Sequence, residues 1–233
     1  MVTRAVSADA TASSVDFYFD VMCPYAHQTS LWIREVQRLT NLQVNWKFFS
    51  LEVINHVDGK KFPWERELAY GWTPLRIAAW LRRRSNDLCG AWYLASAHAL
   101  HTEGRRPYER ETANELLASI GAPAETWEAA LADQTTHDDV RRDHEHAVST
   151  LGGFGVPILV PPTGRAIFGP VIVPAPSGDD ALRLWNLVYG ASQFPHFYEL
   201  KVPKTADDLT HIGEAFTPYL RAREWNSVQN PAL

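Results

Sequence analysis

The chain has 233 residues, 45% hydrophobic and 21% charged, with a formal net charge of -5. That length buries a sizeable core without covalent staples, and an isoelectric point near 6.0 excludes the basic footprint of a nucleic-acid binder. No apolar run of about 18 residues occurs, so no membrane span is expected.

Residues 1 to 13 are small and polar, and lack the apolar stretch of a secretory signal. They read as a disordered lead-in to a cytoplasmic protein. The two cysteines are Cys23 and Cys89. A disulfide between them is disfavoured in a reducing compartment, and two thiolates are too few for a closed zinc site. There is no HExxH and no paired Cys/His spacing, so no metal is expected. His98 with His101, and His144 with His146, read as solvated helix surface.

Val15-Asp16-Phe17-Tyr18-Phe19 reads as a strand that stops at Asp20. Pro24 then suits the first turn of a helix, where its missing N–H costs nothing. From Gln28 to Leu39 the residues Leu31, Trp32, Glu35, Val36 and Leu39 recur at helical spacing, and Asn41 ends the run. Val44, Trp46 and Phe48 alternate as in a strand. A strand–helix–strand unit of this length implies parallel strands and a right-handed crossover.

From about Glu65 to Thr150 the pattern is helical. Five segments centre on Leu75–Leu81, Trp92–Leu100, Asn114–Ile120, Pro123–Leu131 and Asp138–Leu151, with stops at Gly121 and Gly152-Gly153. Strand signals return at Pro157–Val160 and Ala166–Phe168, joined by the turn Pro161-Pro162-Thr163-Gly164. A last helix begins near Asp179 and ends at Gly190, and the segment from Phe194 onward gives no clear assignment. The order βαβ, helical insertion, ββα is that of a thioredoxin fold. The boundaries are 14–62 with 152–192 for the thioredoxin-like part, 63–151 for the insertion and 193–233 for a C-terminal extension.

Cys23 follows a buried strand and opens a helix. Unpaired N–H groups and the helix dipole favour an anion there, so the thiol is expected to have a lowered pKa. A drop from the ordinary ~8.5 to about 6 raises the thiolate fraction at pH 7 roughly thirtyfold. His27 either assists the thiolate or protonates a leaving group, or is an exposed first-turn residue. Gly155-Val156-Pro157 places a proline at the start of a central strand, which cannot donate to the ladder there. A cis peptide or an ordinary trans start both fit.

Asp20-Val21-Met22-Cys23-Pro24-Tyr25-Ala26 resembles the strand end and CPxC motif of the DsbA-like branch of the thioredoxin superfamily. Gly155–Val160 resembles its cis-proline loop and following strand. Phe49-Ser50-Leu51-Glu52-Val53-Ile54-Asn55, Phe168-Gly169-Pro170 and the helix with Leu182, Leu184 and Trp185 resemble the subgroup of mycothiol-dependent nitroreductases. The resemblance implies Cys23 as nucleophile and Pro24 and Tyr25 as the residues that tune it. It implies Val156 and Pro157 as a surface for an extended thiol ligand, and Asn55 as a substrate contact.

One departure matters. The family's second cysteine is Ala26 here, and Cys89 reads as helix packing rather than a replacement. The motif therefore implies a monothiol cycle. Cys23 attacks, and an external low-molecular-weight thiol, mycothiol or glutathione, resolves the adduct formed on a disulfide or a small electrophile such as a nitroaromatic. Two alternatives stand beside it: a kappa-like glutathione transferase or isomerase that activates a bound thiol, and a redox-inactive binding protein. A second copy of the chain could be a homodimer partner.

Overall fold

The computed structural model describes residues 12–222, so the expected lead-in up to residue 11 and the tail beyond 222 lie outside the described residues. Strand β1 (Ser14–Phe19), helix α1 (Pro24–Leu39) and strand β2 (Gln43–Phe48) form the first unit. β1 and β2 pair in parallel, with Val15 opposite Val44 and Phe19 opposite Phe48. A four-residue helix, α2 (Leu51–Ile54), and a 3-10 turn at Pro63–Glu65 follow. Neither is legible as a period, because each is shorter than two helical turns.

The helical stretch comprises α3 (Trp72–Arg82), α4 (Asn86–His101), α5 (Arg110–Ser119), α6 (Thr126–Ala132) and α7 (Thr135–Ser149). β3 (Ile158–Val160) and β4 (Ile167–Phe168) close an antiparallel hairpin. β3 also lies antiparallel to β1, giving the order β2-β1-β3-β4. Helix α8 (Gly178–Ser192) runs two residues past Gly190, the expected stop. A helical glycine costs about 1 kcal/mol, and burial of Ser192, whose hydroxyl donates to Tyr189 O at 2.7 Å, favours the extra turn. The unassigned C-terminal segment contains α9 (Ala206–Ala215) and α10 (Thr217–Ala222).

One apolar cluster joins the sheet to the helices. It runs from Phe17, Phe19 and Trp46 through Trp92 and Tyr93 of α4 to Trp72 and Trp80 of α3. Phe19 stacks on Tyr93 at 3.9 Å, and Trp46 meets Phe17 edge-on at 5.3 Å. Most of the nine tryptophans belong to this core rather than to an open pocket. A smaller cluster on the opposite face holds Tyr18, Phe49, Ala147 and Ile158.

The outer edge of β2 is finished by side chains. Asn86 Oδ1 accepts from Trp46 N at 3.1 Å, and its Nδ2 donates to Val44 O at 2.8 Å. Asp143 Oδ2 accepts from Phe48 N at 3.0 Å, and Arg82 Nη1 donates to Trp46 O at 3.1 Å. Helices α3, α4 and α7 thus satisfy strand groups that would otherwise need water or another strand.

Gly90 lets α4 approach that edge, because a Cβ built there would collide with the Trp46 indole. Overpacking of this kind costs about 1–3 kcal/mol. A G90A variant is expected to fold with a lowered Tm, which thermal unfolding by circular dichroism measures; an unchanged Tm would show that α4 does not need the approach.

Candidate active site

β1 ends at Phe19, and the carboxylate of the next residue, Asp20, builds the turn that presents Cys23. Asp20 Oδ1 accepts from Met22 N at 2.8 Å and Oδ2 from Leu51 N at 2.7 Å. The Asp20 carbonyl accepts from Cys23 N at 3.1 Å. The carboxyl group is fully buried, and burial pushes its pKa up to about 7 against the pull of those two N–H donors. Next to it, the buried Glu52 accepts from Gly71 N at 2.9 Å and Trp72 N at 2.8 Å, the first N–H groups of α3, and pairs with Arg66 at 2.9 Å.

Cys23 is the N-cap of α1, with Pro24 at the first helical position. Its Sγ accepts from Ala26 N at 3.4 Å and donates to Val156 O at 3.3 Å. The Val156–Pro157 peptide is cis. The structure therefore brings together Cys23, Pro24, Ala26, Val156 and Pro157 around one sulfur. Tyr25, half-buried, meets Phe216 edge-on with centroids 5.1 Å apart.

The expected lowering of the thiol pKa is not what this arrangement gives. Cys23 is 7% exposed. Burial pushes the thiol up to about 12, the Asp20 carboxylate adds to the rise, and the N–H groups of Ala26 and Tyr25 oppose it. The helix N-terminus acts in the expected direction, but desolvation of the anion outweighs it. The resting group is a thiol that donates to Val156 O.

His27 also differs from both expectations. It is 1% exposed rather than a surface residue, and its ring stacks on His101 at 5.3 Å instead of reaching Cys23 Sγ. Among the described residues both its ring nitrogens and His101 Nδ1 lack a hydrogen-bond partner, while His101 Nε2 bonds Val21 O at 2.8 Å. Burial pushes His27 down to about 4 and His101 to about 3. His101 and His144, read as solvated surface, are thus buried, His144 Nδ1 accepting from Ser50 N at 3.2 Å.

Asn55 is exposed at the end of α2, where its Nδ2 donates to Leu51 O at 2.8 Å. The structure gives it no hydrogen bond to the Cys23 turn. Cys89 is a free, fully buried residue of α4 whose thiol is flanked by Arg82, Asp143 and Arg34. From the sequence, no site role falls to Asp20, which reads as the strand stop, to Glu52, or to His101, which reads as solvated surface. Asp20 had a visible signal, a lone carboxylate ending a strand of aromatics.

Residues 22–202 match the family described as Rv2466c-like, mycothiol-dependent nitroreductase Rv2466c. The chain belongs to this family. It is 49% identical over 216 residues to the uncharacterized protein Rv2286c of Mycobacterium tuberculosis, covering 93% of both chains. The cytosolic disulfide reductase DsbM from Pseudomonas aeruginosa, solved with GSH, superposes with a TM-score of 0.55 at 17% identity, over 75% of this chain and 98% of that one. The probable DsbA oxidoreductase SCO1869 from Streptomyces coelicolor gives 0.53 at 17%, over 82% and 94%. These likenesses show the thioredoxin-type, DsbA-like fold of an Rv2466c-like protein.

Two measurements test the site. Asp20→Asn removes the charge facing Cys23 and turns an amide N–H toward one of its two donors. It is expected to cost about 1–3 kcal/mol of stability and to move the pH midpoint of Cys23 alkylation downward; a midpoint that stays put would remove Asp20 from the control of the thiol. His27 has a folded pKa below its unfolded value of about 6.5, so its contribution to stability is complete above that pH and is lost as pH falls toward 4. His27→Leu is expected to flatten this loss, on the order of 3 kcal/mol at pH 4, in denaturant titrations across that range.

Proposed function

We propose that the protein is a thiol-dependent oxidoreductase in which Cys23 is the single protein nucleophile and a low-molecular-weight thiol of the mycothiol class, or glutathione, completes the cycle. One observation carries the reading. Cys23 Sγ caps α1 within reach of Val156 O, and Ala26, fully buried, stands where the family motif has its second thiol. Family membership supports the thiol co-substrate, and the free, separately packed Cys89 supports a cycle with no internal resolving partner. The reducing cytoplasm is the proposed compartment.

The steps balance as two exchanges. The Cys23 thiol loses its proton, the thiolate attacks one sulfur of a disulfide, and the other sulfur leaves as a thiolate that takes up a proton. An incoming thiol then attacks the mixed disulfide at its non-protein sulfur and returns Cys23. With a nitroaromatic as electron acceptor, two thiols become one disulfide and supply the two electrons that take the nitro group to a nitroso group and water. Val156 offers its backbone to an extended thiol ligand, and Pro24 and Tyr25 shape the wall beside the sulfur. Asn55, one helical turn from the Asp20-bound start of α2, is the proposed contact for the substrate's polar end.

Deprotonation is the demanding step. Burial disfavours the Cys23 thiolate, so turnover is favoured by a form in which the sulfur meets water or substrate.

The test is intact-mass analysis after incubation with oxidised mycothiol or oxidised glutathione, together with turnover by a Cys23→Ser variant. A single thiol adduct on Cys23 and loss of turnover in the serine variant are expected. Turnover retained by Cys23→Ser without an adduct would overturn the reading in favour of a transferase or isomerase that activates only its bound thiol. In the same assay, Ala26→Cys is expected to form an internal disulfide, seen as a loss of two hydrogens, and to shed the adduct without added thiol.

A further inference from the structure

The family match ends at residue 202, before α9 and α10 begin. Residues 193–211 are all exposed, and α9 buries no residue. Beyond this open stretch the chain docks again through Phe216, Tyr219 and Ala222, which are 6–8% exposed. Phe216 meets the ring of Tyr25, two residues from Cys23. Tyr219 packs on His101 with centroids 4.8 Å apart, and His101 stacks on His27. The carbonyl of Pro218 approaches Gly104, where an added Cβ would lie 3.2 Å away.

We propose that α10 is a latch in which Phe216 and Tyr219 form an aromatic wall over Tyr25 and His101 and determine which substrates reach Cys23. The assignment rests on Cys23 being the reactive group. The thioredoxin-like part supplies the thiol, its N-cap and the cis-proline loop; α10 places two rings against the helix that follows Cys23 and its neighbour α4.

The seat of the latch is suited to release. Beneath Tyr219 lie His101 and His27, with three ring nitrogens unpaired among the described residues. A buried polar group left without a partner is unfavourable, and hydration on opening relieves it. Along the junction runs a cavity of about 590 Å³ lined by Thr102, Arg105, Arg106, Pro218 and Arg221, so α10 is packed on only part of its surface. The connecting stretch is tied by Arg165, which donates to Pro195 O at 2.6 Å and Phe197 O at 3.0 Å. Residues 198–205, all exposed and ahead of α9, are the proposed hinge for the swing of α10.

Acid favours the open form. The charged and titratable groups facing the pair are Arg34 of α1, His98 of α4 with its partner Glu103, and Tyr219 of α10. Closed, both rings resist protonation; hydrated, they titrate near 6.5. Uptake of protons below that pH therefore pulls α10 off its seat.

The experiment measures the rate of Cys23 alkylation at pH 8 by iodoacetamide, a small reagent, and by a bulky maleimide, read as intact mass with peptide mapping to exclude Cys89. The full chain is compared with Phe216→Ala and Tyr219→Ala, each checked for folding by circular dichroism. Both variants are expected to react at least tenfold faster with the bulky reagent, and to gain less with the small one. Equal rates in folded variants and wild type overturn the latch, as does acceleration identical for both reagents. Phe216→Leu, which retains an apolar contact, guards against collapse of the alanine variant; it is expected to lie between the two. Failure here leaves the adduct and Cys23→Ser results intact, so the two readings fall separately.

Discussion

Two backbone N–H groups from different elements converge on the carboxylate of Asp20, and the geometry of the thiol follows from that convergence. Met22 N fixes the turn out of β1, and Leu51 N fixes the start of α2 after β2. The two parallel strands are thereby locked at their C-terminal ends, where the motif cysteine emerges. The N-terminus of α3 crowds the same spot. A Cβ at Gly71 would sit 2.9 Å from Met22 Cγ and 3.0 Å from Asp20 Oδ1, and Glu52 holds the Gly71 and Trp72 N–H groups. A buried charge is tolerated only with such a full set of partners. The sulfur and the helical stretch are therefore parts of one hydrogen-bonded assembly.

Cys23 is the meeting point of two opposed electrostatic effects. An N-cap position offers N–H donors to an anion, whereas the closed surroundings withhold water from it. The contest is settled by how far the sulfur is covered, which makes cover the natural variable for regulating the thiol. In the proposed monothiol cycle the cysteine has to stay inert between encounters, because no neighbouring thiol stands ready to remove an unwanted adduct. A neutral group donating to Val156 O meets that need.

The sequence reveals most where the determinants are local. Alternation in Val44, Trp46 and Phe48, the Pro24 that opens α1 and the glycines that punctuate the helices each act within a few residues. Helix α2 was illegible because its four residues are held by Asp20, thirty-one positions upstream, and by the Ser50 hydroxyl that accepts from Val53 N. The position of Cys23 was readable, but its burial was not, since Val156 lies 133 residues away in the chain. His27 was misjudged for the same reason. Its place in the first turn of α1 says nothing about the His101 ring that α4 brings against it. The aromatic rings fill the core at the junction between sheet and helices, which has a large apolar surface to cover.

The finished edge of β2 bears on how the protein meets other chains. Exposed strand edges recruit further strands, and this is a common route to sheet-extended dimers and to aggregates. Here Asn86, Asp143 and Arg82 occupy the positions that a foreign backbone would need. The opposite edge is β4, only two residues long. Strand addition at the β2 flank would have to displace three side chains from the hydrogen bonds that already complete it.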